Sequence, residues 1–394
     1  MATEISGRKY GDVPVIGTDY VAADPLIADF PEAWTPFEKL LKSYQGDGAV
    51  ISEKPNANME IDFILGDEVP LTFTVTSYTS NTVTMASAAL MNGLYAGVEL
   101  YDKTNDHYWI VDAVDDTGPT FTIYSITGSG DPTVGTELVT VGVSQGEGGR
   151  IGVPSYEWTA KQNYVQSFAV ELNYSDFYEI VNMRVDDWGY QQKQLLKRFT
   201  RKQEMALMLG TKTSGTIASA SNEPSYGKHY FTGGIRYWIG QAGSDNYDTF
   251  ALNNFSGVDG MEAWKDFEQK AFAKHEDAVV WGIAGMNFYR ALHDLYEEKN
   301  IQFTAEGPKE FNIFSVTTFI GKILKLLIHP GFAGPFGYYA QFFNPAQLQI
   351  AEAKPYMIRE IDYGRDDKKG YKIKRIMGLK PRTIHDLYSF ELTT

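Results

Sequence analysis

Lys193-Gln-Leu-Leu-Lys-Arg-Phe-Thr-Arg-Lys-Gln-Glu-Met-Ala-Leu-Met-Leu-Gly210 contains no proline, ends on a glycine, and consists mostly of good helix formers. Traced backwards, Phe177, Val181, Val185, Trp188, Leu195, Phe199 and Leu209 make a broken apolar stripe at mostly three- and four-residue steps. That period predicts one long helix over about 175–209. Ser175 serves as its expected N-cap, with Asp176 and Glu179 in the first turn to complement the helix dipole. Gly189 lies inside the stripe, costs about 1 kcal/mol against alanine there, and marks a candidate hinge. The second half carries Lys193, Lys197, Arg198, Arg201 and Lys202, a dense basic cluster in an acidic chain. The plain reading is a solvated helix face; the functional one is a patch facing nucleic acid or a neighbour's acidic surface.

Upstream of this helix the period is two. Tyr156-Glu-Trp-Thr159 and Val165-Gln-Ser-Phe-Ala-Val-Glu-Leu172 read as extended. Before them, Leu71–Thr76, Thr82–Met85, His107–Val111 and Thr120–Tyr124 alternate apolar with polar residues and favour β-branched and aromatic types. Turn signals at Asn92-Gly93, Thr117-Gly118-Pro119 and Gly128–Pro132 separate them. Residues 60–143 therefore form a small all-β unit, closed by a flexible joint at Gly146-Glu-Gly-Gly-Arg150. That joint lacks the Lys-Ser/Thr partner and the following helix that a phosphate cradle needs. The chain goes out along one strand, builds a domain, and returns along another.

Residues 1 to about 48 read as an extended arm broken by Pro14, Pro25, Pro31 and Pro36, which buries little against its own body and is ordered by a neighbour. A short helix can start inside it, with Thr35 as cap and Pro36 at the first helical position. Beyond Gly210, helical patterns at 259–275 and 286–299 alternate with strands at 278–283, 314–319, 323–328 and 347–350, and a charged terminal stretch ends in Asp386–Leu392. The class is α+β.

Composition removes several functions. There is no cysteine, so disulfides, thiolate catalysis and thiolate-held metals are excluded. The net charge of −15 argues against a dedicated nucleic-acid binder, though not against a protein that lies near DNA without gripping it. Phe319–His329, the most apolar run, is too short to span a bilayer and carries Lys322 and Lys325; Met1–Tyr20 does not read as a secretory signal. The chain is expected to stay in the cytoplasm of the cell that makes it. The 25 tyrosines suit extensive subunit interface, or equally a β-rich core with exposed strand tyrosines. None of the six histidines stands in metal-ligand spacing, and no nucleophile elbow or Walker loop occurs. Asp112, Asp115 and Asp116 come nearest to a calcium set but lack the alternating ligands and closing Glu. No catalytic, cofactor or metal site is expected.

The order of parts resembles the Hong Kong ninety-seven capsid fold, and most closely a family of phage major head proteins with a β insertion in the extended loop. Asn163-Tyr-Val-Gln-Ser-Phe168 is similar to that family's strand into the spine helix. Lys193–Gly210, with Glu204, is similar to the end of the spine helix, and Gly233-Gly234-Ile235 with Trp238-Ile239 to the entry of its axial domain. Phe319-Ile-Gly321 through Pro330 to His385 follows its closing layout.

The resemblance implies an N-terminal arm (1–48), an extended loop (49–166) carrying the inserted domain, and a peripheral domain with the spine helix (167–231). An axial domain (232–345) and a return to the peripheral domain (346–394) complete it. It also implies a non-enzymatic shell subunit that forms hexamers and pentamers of an icosahedral head around double-stranded DNA. Expected partners are further copies, a scaffolding protein, a portal, a decoration protein, and packaged DNA by weak non-specific contact, with no membrane. The expected location is the virion, after assembly in the host bacterial cytoplasm. Two other readings stay open: a cellular nanocompartment shell, and a carbohydrate-binding or adhesin-like protein with Tyr108 and Trp109 as stacking rings, although Trp109 sits in an alternating strand and reads better as core.

Overall fold

The computed structural model describes residues 20–22, 36–65, 72–86, 91, 94–115, 118–127, 131–144, 159–175, 187–216, 228–243, 246–272, 277–297, 304–306, 313–362 and 368–393. The Gly146–Arg150 joint, most of the arm and Asp116 lie outside them. The chain forms two compact units, Ile64–Ala160 and the remainder, Met1–Phe63 with Lys161–Thr394.

Ile64–Ala160 holds a seven-stranded antiparallel sheet in the order Thr72–Thr74, Glu137–Val143, Val98–Asp102, His107–Val114, Thr120–Thr127, Thr82–Thr84, Ser77–Thr79. Alternation explains it: every second residue of Val98–Asp102 and of His107–Val111 is buried. Phe73, Val83, Leu100, Phe121, Ile123 and Leu138 build the core, with Trp109 among them at 3% exposure. Ser80 and Asn81 both take positive φ (52° and 66°), which a two-residue hairpin turn demands. Three of the strands, Val98–Asp102, Glu137–Val143 and Ser77–Thr79, were not evident from the sequence. In the first, buried Asp102 stands at an inward position and breaks the apolar pattern, while its carboxylate accepts from the Thr104 and Asn105 N–H groups at 2.8 and 3.2 Å.

The larger unit contains two principal sheets. One is made of long antiparallel strands, Gln166–Ser175 against Lys368–Pro381 against Leu348–Asp362, with Tyr20–Ala22 and the parallel Val50–Ser52 added to the last. Helices α1 (Pro36–Gln45) and α2 (Asp187–Leu209) belong to this unit. The other sheet is mixed and seven-stranded: Tyr247–Ala251, Tyr388–Thr393, Tyr339–Phe343, Val279–Ala284, Ile323–Ile328, Ile313–Thr317, Thr304–Glu306. After the short α3 (Ile235–Ala242), helices α4 (Gly257–Phe272) and α5 (Met286–Glu297) pack on it. Aromatic rings fill that core, with Phe267 4.9 Å from Phe390 and Phe272 5.3 Å from Phe342.

Two expectations are corrected. Ser175 is not a helix cap: it ends the strand Gln166–Ser175, paired with Lys368, so its backbone is committed to a sheet ladder. The four-residue spacing that suggested an earlier start rests on Phe177, Val181 and Val185, which lie outside the described residues along with Asp176 and Glu179. The arm, in turn, does not bury little throughout. In α1, Phe37, Leu40 and Leu41 are at most 2% exposed within their own unit. Those three positions recur at three- and four-residue steps, and Pro36 sits at the first turn where its missing N–H costs nothing.

Candidate functional site

Helix α2 presents two chemically opposite faces. Leu196, Phe199, Gln203, Glu204, Leu207 and Met208 are buried, while Arg198, Arg201 and Lys202 are exposed and Lys197 is half-buried. The steps of three and four between these sets follow from the helical period. Arg201 donates from Nη2 to the Pro330 carbonyl at 2.8 Å, which fixes its stem and leaves its charge at the surface. Lys193 and Gly189 fall within the helix.

The buried face carries an ionic network that the sequence did not reveal. Arg375, 1% exposed, grips the Glu38 carboxylate with both terminal nitrogens, at 2.8 and 3.0 Å, and reaches Glu352 through Nε at 2.6 Å. It also donates to the Tyr356 hydroxyl at 2.9 Å and lies 4.2 Å above that ring, and Tyr356 donates to Gln203 of α2. Burial raises the Glu38 carboxyl, but the Arg375 guanidinium, helped by Lys42, outweighs it and holds the group at about 2. Beside it, Glu204 accepts the Phe37 and Glu38 backbone N–H groups at 3.0 and 2.8 Å. A carboxylate from α2 thus caps the N-terminus of α1 across 167 residues of sequence, satisfying donors that no intrahelical carbonyl can reach. His329 Nε2 stands 3.4 Å from the same carboxylate, while its Nδ1 accepts from Gly331 N–H at 2.8 Å.

The junction past α2 is tied by Asn163. Its amide donates to the Gly233 and Leu379 carbonyls at 2.9 and 2.6 Å, and its oxygen accepts from Gly233 N–H at 2.8 Å. Here the backbones pack so closely that a Cβ on Gly210 would stand 2.3 Å from the Ala206 carbonyl oxygen and 2.5 Å from that of Thr232. In the other sheet's core, the fully buried Glu268 of α4 accepts from the Tyr296 hydroxyl of α5 at 2.6 Å and from Phe319 N–H at 2.7 Å. Burial pushes the Glu268 carboxyl up, against those hydrogen bonds.

Other candidates from the sequence are not drawn together. Asp112 and Asp115 are exposed, and Asp115 accepts from the Thr120 hydroxyl at 3.3 Å. Tyr108 lies on the solvent side of its strand, 4.8 Å from Tyr101, whereas Trp109 faces the core and stacks on His107 at 4.1 Å. His293, Asp294 and Glu297 cluster at the surface end of α5 without a buried ligand atom. Arg375 could have been suspected from parity alone: it shares its side of the strand with Ile373 and Met377, so a charge there must be buried and paired.

No curated protein matches the chain. Solved structures that resemble it include one from Microbacterium phage Oxtober96 (14% identity, 88% of this chain and 89% of that one, TM-score 0.42). The capsid of Myoviridae phage XM1 gives 10% identity, 90% and 92% coverage and a TM-score of 0.42. The SrpI encapsulin complex from Synechococcus elongatus PCC 7942 gives 9% identity, 60% and 77% coverage and a TM-score of 0.43. These likenesses are too distant to carry an argument. The family described as SU10 major capsid protein, in contrast, matches residues 63–380, most of the chain. With the α+β fold and the order of parts, that match bears out the resemblance to phage head proteins: the chain belongs to the SU10 major capsid protein family, a structural subunit that self-associates into the capsid of a virion and performs no catalysis.

Proposed function

We propose that the chain forms hexamers and pentamers of an icosahedral tailed-phage head and that the exposed face of α2 lines its interior against packaged double-stranded DNA. The observation that carries this is the row Arg198, Arg201 and Lys202, solvent-facing on one helix in a chain of net charge −15. Three or four cations per subunit bind phosphate weakly and without sequence preference, while the acidic remainder keeps the DNA from adhering broadly. Assembly then takes place in the host bacterial cytoplasm, with a scaffolding protein and portal and with a decoration protein added to the outside. Gly189 is the hinge at which α2 adjusts as the precursor shell expands.

The test replaces Arg198 and Lys202 by Gln in the full chain and measures the genome length retained by purified particles over a range of salt. Shells of normal yield that lose DNA or release it at lower ionic strength support the reading. Particles with unaltered DNA content and salt response overturn it.

A further inference from the structure

Buried charge around α1 does not balance. Glu38 meets Arg375 and Lys42, and Glu352 shares Arg375, which leaves Glu204 of α2 without a cation of its own. Glu204 is 1% exposed, and the two α1 backbone N–H groups that it accepts carry only partial charge. Among the described residues, one group beside its carboxylate can become a cation: His329, also buried, with Nε2 3.4 Å from Oε2.

His329 is held in a form that leaves this contact half made. Its Nδ1 accepts from Gly331 N–H at 2.8 Å, so Nδ1 carries the lone pair and the neutral ring has its proton on Nε2. That buried Nε2 makes no well-aligned hydrogen bond to any described residue, Glu204 included.

A further proton can enter only at Nδ1, and there it changes both sides of the ring. Towards α2, the ring becomes a cation facing Glu204, and their contact becomes charge-assisted. Towards its own turn, Gly331 N–H loses its acceptor and meets a second donor. The His329 backbone is anchored, its N–H bonded to the Ala284 carbonyl of the mixed sheet at 3.0 Å. Gly331 is hemmed in by α2, since an added Cβ would stand 2.4 Å from Met205 Sδ. Relief therefore comes from residues 330–333 swinging off the ring, and with them the Pro330 carbonyl that Arg201 grips at 2.8 Å.

The neighbouring charges hold still meanwhile. Glu38, kept at about 2 by Arg375 against its burial, stays ionised, and Arg375, whose burial Glu38 outweighs, stays charged. Burial pushes the Tyr356 hydroxyl of the long sheet and the Tyr339 hydroxyl of the mixed sheet up, so both stay neutral. Lys42 and Glu352 are paired beyond these groups, on Glu38 and Arg375.

We infer that His329 is a proton-operated switch between α2 and the turn 330–333: proton uptake at Nδ1 draws the ring onto Glu204, secures the cap on α1 and releases the turn. Release of the turn also frees the Arg201 stem. What that means for DNA rests on the proposed role of the α2 face; the switch does not.

Hydrogen exchange of the full-length subunit, read at single amides and corrected for the intrinsic effect of pH, tests it. Between about pH 8 and 5.5 histidine side chains change charge. On acidification across that span, protection of the Phe37 and Glu38 amides should rise and that of the Gly331 amide should fall, each by at least about fivefold, the low end for coupled sites. In His329→Gln the amide side chain can accept from Gly331 and donate to Glu204 at every pH, so neither change should occur. No response in the parent, a parallel loss at all three amides, or the same response in the variant overturns the inference. Should the variant fail to fold, the parent decides alone, because general acid loosening cannot strengthen Phe37 and Glu38 while it weakens Gly331. None of these readouts involves DNA, so failure of the switch and failure of the α2 reading remain distinguishable.

Discussion

Arg375 and Glu38 meet in a two-pronged ion pair, Nη1 to Oε2 at 2.8 Å and Nη2 to Oε1 at 3.0 Å, although they stand 337 positions apart in sequence. Both are buried, so the pair is a lock that closes only with its full set of hydrogen bonds.

Removing one half should therefore be severe. Arg375→Ala leaves Glu352 without its cation and Glu38 with Lys42 alone, and the expected loss is about 3–5 kcal/mol. Arg375→Lys keeps the charge but not the fork, and should fall between the two. Urea unfolding of the unassembled subunit measures both, and equal stability of Arg375→Ala and the parent chain would contradict the account.

Acid should open the same lock. Glu38 sits at about 2 in the folded chain against 4.5 for a free carboxyl, so its ionised form is the one that folding favours. Its contribution is complete above about 4.5 and is lost as pH falls from there towards 2. Glu268 works in reverse: with its carboxyl raised, it costs stability as pH rises through the folded value. Thermal melting across acidic pH should show a flatter acid limb in Glu38→Gln than in the parent.

Two glycines near the ends of α2 should respond oppositely to alanine. At Gly210 a Cβ meets two backbone oxygens at 2.3 and 2.5 Å, neither able to swing away, and a loss of about 1–3 kcal/mol or more is expected. At Gly189, in the first turn of α2, alanine suits the helix better by up to about 1 kcal/mol, and a stiffer helix start should slow expansion of the precursor shell. Time-resolved scattering of purified precursor particles checks the second, and unchanged expansion kinetics would remove Gly189 as a hinge.

Glu268→Ala should free the turn that carries Phe319. The Phe319 N–H and the Tyr296 hydroxyl both lose their acceptor, at about 1–3 kcal/mol for each group left unpaired. Hydrogen exchange at Phe319 should rise more than in the strand Val279–Ala284 of the same sheet.

What the sequence revealed was the part governed by local period. The second half of α2, the alternating strands of the inserted unit and helices α4 and α5 all follow from steps of two, three or four residues. Ser175 misled because a good cap residue says nothing about whether its backbone is already spoken for by Lys368, 193 positions away in sequence. Lys372-Ile-Lys-Arg-Ile376 reads as a solvated charged strand, yet one of its three cations is buried. Parity with Ile373 and Met377 singles out Arg375, but only the fold supplies the partner that admits it to the interior, Glu38 from the far end of the chain. The basic face of α2 was legible because exposure there needs no partner.

The antiparallel sheet that joins residues 50–52, 166–175 and 348–381 also sets a timetable. Its strands are made far apart in time on the ribosome, and pairing over such separations closes slowly. Until Lys368–Pro381 has emerged, Glu38 of α1 lacks Arg375 and Gln166–Ser175 waits with an unpaired edge. Such an intermediate exposes the kind of apolar surface and strand edge that drive aggregation. Where many copies are made at once, the rate at which competent subunits are released, more than their affinity for one another, would then pace the growth of the particle.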